Sequence, residues 1–394
     1  MTAARAELLG HGWGTWRGRW CSERVLAHRE GGWVLEEGDR ESDLWPELRQ
    51  ALAALWPRRR TRGRLPWAVG WIGYEEAARL AGGLPARGGE DDAPLGRFLL
   101  DPAPALVGEV AGESAAGPPA PLRWSLDGEA YRAGVASIRE RIAAGDVYQV
   151  NLCRRMTVEG ASRSLGPFAV VAARGGEPDY LARFHFDGGE LLCASMEMLL
   201  SRRDEILETR PIKGTRPRGQ SVEEDRRLAK ELASDPKERA ELAMVIDLER
   251  NDLGLVSRVG SVEVADPGSV RTYATLHHLV ARVKGLARPD LEWWELLAAM
   301  VPGGSVTGCP KHAAMSVIRE LEPVRRGPFT GAFGVVAGDG DMEFTLPIRT
   351  AWRVGSTIEF AAGCGVVWQS DPKKEENESC LKVARWLELV GCAG

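Results

Sequence analysis

Apolar and polar positions along the chain change period several times, and the changes mark its elements. Residues 129–144 (EAYRAGVASIRERIAA) predict a helix ended by Gly145. Residues 148–152 read as a strand, and two more strand-like runs between 181 and 201 flank a hairpin signal at Gly188-Gly189. Residues 222–249 predict helix, interrupted at Ser234-Asp235-Pro236, where Asp235 can cap the second helix and Pro236 fill its first turn. Strands are expected at 261–265 and 279–284, helices at 292–300 and 310–322, then strands at 332–337, 343–351 and 357–363. A last helix is expected over 372–390, opened by Ser370-Asp371-Pro372 and followed by Gly391.

The N-terminal part offers short β-like pieces, Trp33-Val34-Leu35 and the run from Trp67 to Trp71. Residues 82–122 are rich in Gly, Pro and Ala and read as a loop or linker. The chain therefore divides into a β-rich portion, 1–122, which carries no catalytic constellation, and the remainder, 123–394. Strands in neighbouring pairs, with helices grouped between them, predict an α+β fold with antiparallel sheet in place of a doubly wound parallel one. No internal repeat is evident.

Composition narrows the function classes. The 394 residues are 44% hydrophobic, enough to bury a large core, and the formal charge of −5 gives no basic field for nucleic acid or an anionic membrane. The run Arg58-Arg59-Arg60 reads as solvated surface, and most of the fourteen tryptophans as core. No stretch of eighteen apolar residues predicts a membrane span, and the first residues lack a signal-peptide pattern. Seven scattered cysteines without a CxxC pair argue against a zinc site or disulfide framework, so a reduced, cytoplasmic setting is expected.

Several residues carry chemistry, each beside a plainer reading. Glu375, Glu378 and Lys382 share one stripe of the last helix, either as a salt-bridged face or as cation and anion holders. Glu241 shares a face with Val245 and Leu248; it is either a first-turn carboxylate favoured by the helix dipole or a second metal ligand. PGGSVTGCPK (302–311) runs into a helix start that suits a carboxylate and is not a Walker A motif. Lys213, between Ile212 and Gly214, is a surface lysine or a desolvated amine whose pKa Arg210, Arg216 and Arg218 also depress. Glu197 lies in an apolar run that would raise its pKa and suit a general acid. His278 is a donor or a satisfied core residue, and for His277 the core reading is preferred. Arg349 falls in an apolar strand, where a guanidinium needs an anionic partner. Together these groups describe a site for a small dianionic substrate whose hydroxyl must leave.

In order along 145–390, the segments GDVYQVNLCRR, SMEMLL, PIKGTRPRG, ERAELAMVIDLERNDLG, PGGSVTGCPKHAAM, RRGPFTGAFG, LPIRTA and GCGVVWQSDPKKEENESCLK resemble those of the chorismate-utilising enzymes. That family includes aminodeoxychorismate synthase component I, anthranilate synthase component I, and the isochorismate and salicylate synthases. The resemblance implies large, mostly antiparallel sheets in α/β/β/α layers, as in anthranilate synthase component I. It implies Mg²⁺ held by Glu241 and Glu378 with Glu375 close by. Arg349 and Lys382 would bind substrate carboxylate, helped by Gly304, Ser305 and Gly365. Glu197 would protonate the leaving C4 hydroxyl, and His278 matches the family's active-site histidine. Gln149 stands where isochorismate-forming relatives carry a lysine base, which argues against water as nucleophile.

Lys213 points to the aminodeoxychorismate synthase branch, since anthranilate and salicylate synthases usually carry Ala in this motif. The implied chemistry is attack of Lys213 on C2 of chorismate, then ammonia at C4, with ammonia from a separate glutamine amidotransferase subunit. A C2-aminating enzyme, making anthranilate or 2-amino-2-deoxyisochorismate, is the alternative. Met196 departs from the usual Pro, Leu242 from a frequent His, Phe329 from Tyr and Cys309 from Ala. The tryptophan-feedback LLES motif is not evident; ELLGHG (7–12) is the nearest piece. These departures fit either a folate or a specialised-metabolite pathway.

Overall fold

The computed structural model describes residues 4–9, 11–29, 32–37, 40–59, 63–82, 95–104, 121–160, 165 and 178–389. Among them, two large sheets form with every strand pairing antiparallel. The ten-stranded sheet runs Gly308–Cys309, Gln149–Val158, Thr357–Val366, Thr350–Val354, Gly189–Ser195, Tyr180–Phe186, Ala4–Leu8, Gly18–Ser22, Ala103–Pro104, with Leu122–Trp124 also on Gln149–Val158. The twelve-stranded sheet runs Ile212–Pro217, Leu276–Leu286, Ile206–Arg210, Met198–Arg203, Met342–Thr345, Ala332–Ala337, Pro66–Ile72, Gly96–Leu100, Arg24–Arg29, Gly32–Glu37, Arg40–Trp45, with Glu263–Thr272 also on Leu276–Leu286.

The N-terminal strands enter both sheets. Ala4–Leu8 pairs with Tyr180–Phe186, and Pro66–Ile72 pairs with Ala332–Ala337. The stretch read as a linker at 82–122 is corrected by this topology. Gly96–Leu100 is a fully buried strand between Pro66–Ile72 and Arg24–Arg29. Its apolar run, Phe98-Leu99-Leu100, is short enough to be hidden by the flanking glycines and prolines. The rest of that stretch, 83–94 and 105–120, lies outside the described residues.

Alternation within strands builds the layers. In Ala332–Ala337, Phe333 and Val335 face the other sheet, meeting Phe184, Leu191 and Trp352, while Ala332 and Val336 face helices. The helical cluster on that side brings Leu52, Leu242, Ile246 and Trp293 against Trp67, Phe98 and Phe344. On the outer face of the ten-stranded sheet, Tyr131, Val135 and Ile138 of Gly128–Ala144 and Val317 of Lys311–Leu321 cover Val150, Leu152 and Val366. The result is the expected α/β/β/α stack. Trp13, Trp33, Trp67, Trp71, Trp293 and Trp352 are all fully buried, as most of the tryptophans were expected to be.

Helix ends follow local chemistry. Asp127 accepts the Ala130 N–H, Asp235 those of Lys237 and Glu238, and Asp371 those of Lys373 and Lys374. Gly145 closes its helix at φ +86°. Two expected elements are split. The strand foreseen at 343–351 is Met342–Thr345 in one sheet and Thr350–Val354 in the other, because Pro347 cannot donate to a ladder and Arg349 turns at φ +50°. The last helix ends at Leu381 and resumes at Ala384–Leu389, and Leu381 is 74% exposed.

Candidate active site

The pocket lies where the chain twice changes sheets. Gly189–Ser195 leaves the ten-stranded sheet and becomes Met198–Arg203 of the twelve-stranded one through Met196-Glu197; residues 346–349 make the reverse crossing. The crossings are tied together: the Leu346 N–H and the Thr345 hydroxyl both donate to the Glu197 carbonyl, at 3.1 and 2.7 Å. Backbone leaving a sheet supplies side chains from neither face, and here they converge on a cavity of about 570 Å³.

One side of the cavity holds an acid and an amine. The Glu197 carboxyl is buried and accepts the Ser305 hydroxyl at 2.6 Å; burial raises its pKa to about 7, against the pull of Ser305 and Lys213. The pKa of Lys213 is lowered by burial, while Glu241 and Glu197 act to raise it and Lys382 lowers it further. The strand Ile212–Pro217 bulges between Lys213 and Thr215, at Gly214 with φ +69°. That left-handed backbone conformation is what calls for glycine; a Cβ there would also stand 2.8 Å from Leu232 Cδ1 and 3.0 Å from Glu238 Oε2, side-chain ends that would have to shift. His278 Nδ1 lies 3.1 Å from the Gly214 carbonyl and 3.0 Å from the Thr215 hydroxyl. Burial lowers the His278 pKa, so the ring is neutral, and donation from Nδ1 to Gly214 leaves Nε2 as an acceptor.

The other end is crowded with charge. Glu378 pairs with Lys382 at 2.8 Å, and the Lys382 ammonium also donates to the Gly363 carbonyl at 2.9 Å. Burial raises the pKa of Glu241 and of Glu375, and Glu378 adds like-charge repulsion to both. Ligand atoms of Glu375, Glu378 and Cys364 lie within 4.8 Å of one another. This crowding of carboxylates suits a hard divalent cation, which would relieve it. Arg349 lines the same end, and its guanidinium donates to the Lys382 carbonyl at 3.2 Å.

The family profile described as chorismate binding enzyme matches residues 107–388. The chain belongs to the chorismate-binding enzyme family. It is 41% identical over 266 residues to aminodeoxychorismate synthase component 1 of Bacillus subtilis, covering 66% of this chain and 56% of that protein. It is 40% identical over 301 residues to anthranilate synthase component 1 of Thermus thermophilus, covering 75% and 63%. The chain thus aligns with between half and two thirds of the length of these relatives. The crystal structure of anthranilate synthase component I from Streptococcus pneumoniae TIGR4 superposes with a TM-score of 0.77 at 25% identity, over 98% of this chain and 92% of that one. The α+β, antiparallel architecture is that of anthranilate synthase component I.

Within this chorismate-binding fold, Lys213, Glu197, His278, Ser305, Arg349, Gly365, Lys382, Glu241, Glu378 and Glu375 all line the one cavity. Gly304 does not. It lies behind the wall, packed against the helix Pro236–Val256: a Cβ on it would stand 2.3 Å from Leu248 Cδ2 and 3.3 Å from Glu249 Oε1. Arg349 is corrected too: it is an exposed bend residue, not a buried strand residue. His277 is a satisfied core histidine, with Asp225 and Thr272 each 2.9 Å from a ring nitrogen. Gln149 is buried behind Gly365, its Nε2 3.0 Å from where a Cβ on that glycine would stand. Asn151, Thr215 and Glu238 also line the cavity and were missed, as was Cys364 beside the carboxylates. Pairing of Gln149–Val158 with Thr357–Val366 brings in Asn151 and Cys364, while Thr215 and Glu238 are near neighbours in sequence of Lys213 and Glu241. Met196 and Phe329, two of the departures from the family pattern, line it as well.

Proposed function

We propose that this chain aminates chorismate at C4, giving 4-amino-4-deoxychorismate, with Lys213 as a covalent nucleophile. The observation that carries this reading is a half-buried amine of lowered pKa in the same cavity as a carboxyl raised to about 7. An uncharged Lys213 attacks C2 of the ring. The ring double bonds shift and the C4 hydroxyl departs as water, taking its proton from Glu197. Ammonia then adds at C4, the double bonds shift back, and the Lys213 amine is expelled. Ammonia enters and water leaves, and the enolpyruvyl group stays attached.

Arg349 and Lys382 bring positive charge to the dianionic substrate at the opposite end, and neutral His278 offers Nε2 to a substrate hydroxyl. Glu241, Glu375 and Glu378 would hold Mg²⁺, which supplies positive charge that fixes a substrate carboxylate. Ammonia would come from a glutamine amidotransferase subunit, in keeping with relatives named as first components.

C2 amination is the second reading, favoured by the anthranilate synthase relative at 40% identity. The test is to incubate the chain with chorismate, MgCl₂ and ammonium near neutral pH and identify the product by mass and NMR. An amine at C4 is expected. An amine at C2, formed equally well by Lys213→Ala, would overturn the reading.

A further inference from the structure

Beside the cavity runs a buried ion pair that the proposed chemistry does not use. Arg326 and Glu322 are both buried, and neither lines the cavity. The pair fills a gap in the ten-stranded sheet. One edge of Gln149–Val158 is paired by Thr357–Val366 from 150 to 158, while the other carries Gly308–Cys309 at 149–150 and Leu122–Trp124 at 156–158. Among the described residues no strand covers 151–155 on that second edge, and side chains take its place. The Glu322 carboxylate accepts the Cys153 N–H at 2.8 Å, and the Arg326 guanidinium donates to the Asn151 carbonyl at 2.8 Å. All five N–H groups of the guanidinium are occupied. Two others meet Glu322, at 2.7 and 2.9 Å, and the last two reach the Val306 carbonyl at 2.8 Å and the Thr330 hydroxyl at 3.3 Å. Asn151, Val306 and Thr330 all line the cavity. The backbone of Arg326 is held in its turn: Glu75, buried on the helix Tyr74–Leu80, accepts the N–H groups of Arg326 and Gly327 at 2.7 and 3.1 Å. Ser305 stands just before Val306, and its carbonyl accepts the Asn151 side-chain amide at 3.3 Å. Its hydroxyl donates to Glu197 at 2.6 Å.

We infer that Arg326 is a positioning residue: it holds Ser305 from two sides, through the Val306 carbonyl and through Asn151, so that the Ser305 hydroxyl meets the acid Glu197. A buried ion pair is a poor device for stability alone, since taking two charges out of water costs about as much as their attraction returns. A guanidinium in this place does what an apolar side chain of equal volume cannot. Its planar fork fixes oxygens of three separate segments at set angles, and Glu322 supplies the balancing charge. Lysine keeps the charge but has three donors on a flexible stem, so it can replace at most three of the five bonds.

This inference rests on Glu197 being the general acid, and the experiment separates the two. Amination rates with chorismate, MgCl₂ and ammonium are measured against pH for the native chain, E197Q, S305A, R326K and R326K/S305A, together with the thermal midpoint of each. The titratable groups that face Glu197 are Lys213, on the strand Ile212–Pro217, and Glu249, on the helix Pro236–Val256, and all these variants leave both in place. The Ser305 hydroxyl favours ionised Glu197, so losing that hydrogen bond moves the high-pH limb of activity upward. R326K should show that upward shift and a fall in kcat of about tenfold, with KM for chorismate changed less than about threefold. R326K/S305A should shift no further than S305A alone, because both changes break the same contact. If R326K does not fold, E322D, which keeps the charge and draws the guanidinium back by one methylene, must show the same displaced limb. A variant with a lowered thermal midpoint but a native pH limb, or effects of R326K and S305A that multiply, overturns the positioning role, while a loss of activity in E197Q leaves the acid in place. An E197Q of native rate removes the acid, and the inference with it.

Discussion

The two ends of the cavity treat charge in opposite ways. At one end Glu197 and Lys213 are moved by burial toward their neutral forms, the acid up to about 7 and the amine below its ordinary value. At the other, burial again raises Glu241 and Glu375, and the opposite behaviour belongs to the Glu378–Lys382 pair: Glu378 is held below the usual carboxylate range against burial, chiefly by Lys382. There the Lys382 pKa is raised against burial by Cys364 and Glu378. Chemistry that moves protons and makes bonds needs neutral, poised groups, while gripping a dianion needs fixed charge. Burial supplies the first and ion pairing the second.

Breaking the neutral end should cost most. Lys213→Ala is expected to lower C4 amination by about three orders of magnitude or more, read as product formed per enzyme, since the variant lacks the proposed nucleophile. Glu197→Gln should lower kcat by about 100- to 10,000-fold while leaving chorismate binding measurable by titration. The pH profile sharpens the same contrast. Activity should fall as pH rises through about 7, where Glu197 loses the proton it must donate. Glu197→Gln should erase the high-pH limb.

The charged end should yield more gradually. Glu378→Gln removes a carboxylate and leaves Lys382 with the Gly363 carbonyl but without its ion pair to Glu378, so the Mg²⁺ concentration for half-maximal rate should rise about 10- to 100-fold. A native Mg²⁺ requirement in that variant would exclude Glu378 as a ligand. The smallest effect is expected from Lys237→Ala, whose ammonium is exposed and 3.7 Å from Glu241. Its rate should change less than about threefold, as for other solvated pairs.

What the sequence determined by itself was local. The Asp235-Pro236 and Asp371-Pro372 starts and the Gly145 stop act through backbone groups two to four residues away, so their spacing suffices to place them. The family segments likewise pointed to ten residues that the fold gathers in one cavity. Only the tertiary structure decided the rest. It split 343–351 between two sheets, because pairing partners at Met198 and Cys193 lie in different sheets. It brought Gly96–Leu100 out of an apparent linker into the centre of a sheet. It placed Cys364 beside Glu375 and Glu378, and it set Glu249 against Gly304, 55 residues further along the chain. Such contacts depend on which distant strands pair and which helices cover them, and no period in a single chain encodes that choice.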